Sequence, residues 1–196
     1  MRPERRIILL ALIILAATAA AAFAAGVADQ APGAVTISYE LQRMPTIASN
    51  QMAVWVEDSD GKYIKTLLVT RFTGRGGYER RPECLPLWRK AAGVGGPPTA
   101  TVDAVTSATQ QPGPHTLVWD CTDSAGRPVA PGSYAYKVEG TLFWAKEILW
   151  EGEIAIGDRP SSSQAVVSYL PPGVGEGAPM IDKVSASFAP ATATGR

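Results

Sequence analysis

MAVWVEDSDGKYIKTLLVTRF, residues 52–72, holds two runs of alternating character around a turn. Met52–Glu57 and Tyr63–Phe72 place apolar and polar side chains on opposite faces, the period of a half-buried strand. Between them Asp58-Ser59-Asp60-Gly61 supplies residues that tolerate positive φ, so the two runs are expected to pair as an antiparallel hairpin. The same alternation recurs outward in both directions. Ala34–Gln42, His115–Asp120, Gly132–Phe143 and Glu147–Ile156 read as strands, and Met180–Phe188 as a last short one. Ser124-Ala125-Gly126 and Pro131-Gly132 punctuate the turns. About seven strands with regular turns and little helix indicate an all-β chain, an immunoglobulin-like β-sandwich. Tryptophans 55, 88, 119, 144 and 150 fall mostly on these strands and are expected to fill the core.

Two stretches break the pattern. In Tyr78–Ala92 strand alternation fails while Leu85, Leu87 and Trp88 cluster, which predicts one short helix beginning after Pro86 or near Pro82. Gly93–Pro114 is built from Gly, Pro, Thr, Ser and Ala and reads as a long loop. After Gly157 the chain is expected to loosen into Ser, Pro and Gly, and residues 189–196 to form a disordered tail.

The N-terminus has another character. Met1–Arg6 carries three arginines and one glutamate, and Ile7–Ala28 is uncharged, rich in Ile and Leu and then in Ala. A basic start, an apolar run and a small-residue exit define a secretory signal, with Ala22-Phe23-Ala24 fitting the cleavage rule. The expected organisation is a signal peptide over 1–24, a linker over 25–33 and the sandwich over 34–188. An uncleaved anchor is the other reading, because the uncharged run approaches a bilayer span. Without residues 1–24, the 18 basic and 18 acidic residues become 15 and 17, a net charge of −2. Such a chain lacks the basic surface of a dedicated nucleic-acid binder. Cys84, Cys121 and His115 are far apart and lack zinc-ligand spacing. His115 has no local Ser or Cys nucleophile and is read as the start of a strand.

Two resemblances add to this. Trp119–Val138, WDCTDSAGRPVAPGSYAYKV, resembles a hairpin of immunoglobulin-like domains such as that of the flagellar hook-capping protein, a signature of fold alone. NQMAVWVEDSDGKYIKTLLVTRFTGRGGYERRPECLPLW (50–88), DAVTSAT (103–109), the WD hairpin and VEGTLFW (138–144) together resemble the domain of unknown function 2271 family. That resemblance implies a periplasmic bacterial β-protein and hands over no activity. The family usually has Gly where Cys121 stands and a small residue where Cys84 stands. Two cysteines at the two departures suggest a disulfide between them; two unrelated free thiols are the alternative.

Asp103-Ala104-Val105-Thr106-Ser107-Ala108-Thr109 resembles the D-x-x-[ST]-[GSA]-A-T motif recognised by flavin transferases. Such an enzyme joins FMN, taken from FAD, to the hydroxyl of the last threonine. The hydroxyl must act as a nucleophile activated by the transferase. Small neighbours, here Ser107 and Ala108, let the acceptor enter another protein's active site. The resemblance makes Thr109 the acceptor and Asp103 a recognition residue, with covalent FMN as cofactor and a flavin transferase and a membrane redox protein as partners. The domain would then hold the flavin without catalysing a reaction of its own. A flavin-free adaptor module of the cell envelope is the other reading. Asp58–Gly61 and Asp120–Asp123 look like calcium loops but lack the distal glutamate, and hairpin turns explain them. Arg71, Arg75, Arg80, Arg81, Arg89 and Lys90 read as a solvated face, or as a surface for a phosphate or an acidic partner.

Overall fold

The computed structural model describes residues 31–43, 50–93, 106–107, 110–142, 146–173 and 180–192. The expected signal peptide therefore lies outside the described residues. No helix among the described residues is long and apolar enough to cross a membrane. Among the described residues ten strands form two sheets: β1 (Gly33–Leu41), β2 (Gln51–Asp58), β3 (Tyr63–Thr70), β4 (Thr106–Ser107), β5 (Gly113–Trp119), β6 (Gly132–Leu142), β7 (Lys146–Ile156), β8 (Ser161–Gln164), β9 (Val166–Leu170) and β10 (Ile181–Pro190). One sheet has the order β5-β1-β10-β8 and the other β4-β3-β2-β6-β7-β9. Every pairing between them is antiparallel except β3 with β4. The chain is an all-β sandwich, as its alternation predicted.

Strand periodicity fills the space between the sheets. Val35, Ile37, Tyr39 and Leu41 of β1 and Val184, Ala186 and Phe188 of β10 face Met52, Val54 and Val56 of β2 and Tyr136 and Val138 of β6. Each buried Val, Leu, Ile, Phe or Met side chain contributes roughly 1.5–3 kcal/mol by leaving water. Two polar ties cross the core. The Tyr136 hydroxyl on β6 reaches the Ser163 carbonyl (3.2 Å) on β8, and the Trp150 indole N–H on β7 donates to the Ile181 carbonyl (3.0 Å) on β10. Gly152 leaves room for the Tyr136 phenol, since a Cβ there would lie 2.3 Å from its oxygen.

β2, expected to be half-buried, is instead buried on both faces. Its alternate residues Ala53 and Trp55 join Val69, Leu85 and Trp88 in a second cluster on the outer face of the six-stranded sheet. The cover is the segment after β3, which contains α1 (Arg71–Gly74), a 3₁₀ turn (Gly77–Glu79) and α2 (Pro86–Ala91). The predicted helix thus starts at Pro86, where the missing N–H costs nothing. β3 ends at Thr70, two residues before the expected end, and three short helical turns replace the single one expected. Trp55, Trp88 and Trp119 are fully buried and Trp150 is partly so; Trp144 lies outside the described residues.

Other readings need correction. The stretch after Gly157 does not loosen: Ser161–Gln164 pairs with β10 and Val166–Leu170 with β7. Serine weakens the compositional strand signal, but Ala165, Val167 and Tyr169 pack against the core, and packing outweighs propensity. The C-terminal strand runs on to Pro190, paired with Gly33, so Ala189 and Pro190 belong to the sheet and not to the tail. Cys84 and Cys121 are not bonded; both are free and buried. Cys121 belongs to the core between the sheets, while Cys84 precedes Leu85 of the outer cluster, so the six-stranded sheet separates them. Cys121 has φ +52°, the left-handed region that the family's usual glycine enters freely.

Candidate functional site

The Asp103–Thr109 motif meets the described structure at β4. Asp103, Ala108 and Thr109 lie outside the described residues, as do the side chains of Thr106 and Ser107. The backbone of β4 pairs in parallel with the end of β3, Thr106 opposite Val69 and Ser107 opposite Thr70. β4 ends the strand order, so among the described residues one of its edges has no neighbour in the sheet.

The strand end that receives β4 is fixed by a buried amide. The Gln51 side-chain oxygen accepts hydrogen bonds from the Thr70 hydroxyl (2.6 Å), the Thr73 hydroxyl (2.9 Å) and the Thr73 N–H (3.3 Å). The Thr70 hydroxyl in turn accepts the Met52 N–H (3.3 Å). This network turns the chain from β3 into α1 beside Ser107. Buried polar groups of this kind hold one geometry, because any loss leaves an unpaired donor.

A second buried group anchors α2. The Glu139 carboxylate on β6 accepts the Trp88 N–H (2.7 Å) and the Leu87 N–H (3.1 Å), both in the first turn of α2. The Thr141 hydroxyl, two residues along the same face, accepts the Leu85 N–H (2.9 Å). Free N–H groups at a helix start are thereby satisfied from the sheet. Burial pushes the Glu139 carboxyl up to about 7, against the pull of the two backbone donors, with Glu147 raising it further and Arg89 lowering it. The indole N–H of Trp88 donates to the Thr66 hydroxyl (2.8 Å) on β3.

The remaining sequence candidates take structural parts. Arg80 and Arg81 lie over the Phe72 ring, Arg89 lies over the Tyr78 ring, and Arg89 also donates to the Pro82 carbonyl. Much of the basic cluster therefore holds the helical segment together. Asp58 accepts the Asp60 and Lys62 N–H groups, and Asp123 those of Ala125 and Arg127, so both carboxylates close turns. His115 lies within β5, stacks on Tyr39 and reaches the Gln111 carbonyl (2.7 Å). Gln51 and Glu139 escaped the sequence reading. Their signal was faint: Gln51 stands just before the expected strand 52–57, and Glu139 alternates with Val138 at a position that periodicity assigns to solvent.

Sheet order, core and the covered outer face define a β-sandwich protein. A family model described as a predicted periplasmic protein, domain of unknown function 2271, matches residues 34–167, well over half of the chain. The chain belongs to that family and is periplasmic. Comparison with curated proteins and with solved structures gives no match.

Proposed function

We propose that the protein is an extracytoplasmic electron carrier with FMN esterified to Thr109. The observation that carries this reading is the Asp103–Thr109 run itself. Among the described residues its Thr106–Ser107 pair ends the strand order of the sheet, with a neighbour on one side. In the modification, a base of the transferase takes the Thr109 hydroxyl proton and the oxygen attacks the FMN phosphorus of FAD. A new P–O bond forms, the pyrophosphate bond breaks and AMP leaves with the electron pair. The bound flavin supplies the redox chemistry, and the sandwich supplies a fixed edge on which to present it. Asp103 serves recognition, and the small Ser107 and Ala108 give the transferase access. Electrons come from and pass to a membrane redox protein.

The test is intact mass of the exported protein after co-expression with an active flavin transferase, beside Thr109→Ala. A gain equal to FMN less water, lost in the variant, supports the carrier. An unmodified mass beside a modified control substrate removes it. A flavin-free adaptor is then the reading to pursue. It is favoured by Val118 on β5 and Val166 on β9, which are 65% and 76% exposed on strands at the ends of their sheets. Such edges accept a partner's strand.

A further inference from the structure

A cleft of about 480 Å³ opens on the outer face of the six-stranded sheet, between α2 and the β2–β3 turn. This volume is in the range of small-molecule sites. Its floor is polar but internally satisfied. Glu57 accepts the Trp55 indole N–H (2.7 Å) and pairs with Lys137 (2.8 Å), and Lys137 also reaches Glu151 (3.4 Å). Two carboxylates and one ammonium leave this floor without unmet positive charge. Its apolar lining is Tyr63, Leu87, Ala91 and Leu149. At the rim stand Lys62 and Lys90, both exposed and with no side-chain partner among the described residues. Apolar walls suit a flat hydrocarbon body, and two unpaired ammonium groups at the mouth suit a negative head.

We infer that this cleft binds a planar organic anion, an aryl carboxylate or sulfonate, with its ring against Tyr63, Leu87 and Leu149 and its charge between Lys62 and Lys90. The cleft is separate from β4. β3 runs from Tyr63 at the cleft to Thr70 beside β4, about 20 Å at strand rise, so this inference does not rest on the flavin reading. No FMN is needed to test it.

The probe is 8-anilinonaphthalene-1-sulfonate, titrated into the exported protein at low salt and followed by fluorescence. The expected result is saturation at one molecule per chain, weakened about tenfold or more in Lys62→Glu/Lys90→Glu. Both lysines are exposed, so that variant should keep the wild-type circular dichroism and urea midpoint. Leu87→Glu, which places a carboxylate on the wall, should abolish binding. If it does not fold, the lysine pair decides alone. Absence of saturable binding overturns the inference. So does binding of equal strength in wild type and the lysine variant, which would place the probe elsewhere.

Discussion

Glu139→Gln tests how the sheet holds α2. The wild-type carboxyl stands at about 7 in the folded chain because burial opposes its ionised form. In the unfolded chain it returns to the ordinary value of 4.5. A group whose folded pKa is raised contributes stability that is fully present below the unfolded value and lost as pH rises through the folded one. Glu139 should therefore cost the fold about 3 kcal/mol between pH 4.5 and pH 8. Glutamine has nearly the same shape, one acceptor oxygen and no charge to bury. The Leu87 and Trp88 N–H groups bond to different carboxylate oxygens, so glutamine accepts only one of them and the variant should be less stable than wild type at pH 4.5 by about 1–3 kcal/mol. At pH 8 the variant should have gained about 3 kcal/mol relative to wild type. Urea unfolding followed by tryptophan fluorescence at both pH values reads this directly, because Trp88 lies on the clamp and other titrating groups cancel in the difference. If wild type instead gains on the variant as pH rises, the two hydrogen bonds from Leu87 and Trp88 outweigh desolvation. The assigned direction of the shift would then be wrong.

Three further outcomes follow from the geometry. Cys84 and Cys121 should resist alkylation in the native protein and both react after unfolding without reductant; a mass showing two protected thiols in denaturant would restore the disulfide. Cys121→Gly should be more stable than Cys121→Ala by about 1 kcal/mol in urea unfolding, since alanine keeps the left-handed strain and glycine does not; the reverse order would refute the role given to φ. Gln51→Leu should cost about 2–3 kcal/mol, because Thr70 and Thr73 lose their shared acceptor. It should also speed amide exchange at Thr106 and Ser107, and unchanged exchange there would disconnect the network from β4.

Alternation over 34–41 and 132–138 was enough to set the fold class, because a period of two has only one use in a chain with so little helix; the unbroken apolar run 52–56 marks a strand buried on both faces. The Asp58 and Asp123 turns, the helix start at Pro86 and the place of His115 were also legible, each resting on local backbone chemistry. The proposed flavin reading of residues 103–109 rests on the sequence alone. Tertiary structure decided the rest. Ser161–Gln164 becomes a strand only because β10 offers it an edge, and Ala53 and Trp55 are buried only because the segment 71–91 folds back over them. The two cysteines share a departure from the family pattern yet lie on opposite faces of one sheet, a separation that sequence distance does not encode. Glu139 looks solvent-facing by periodicity and is instead the buried acceptor that docks α2. In each case the deciding partner is remote along the chain, and only packing brings the two together.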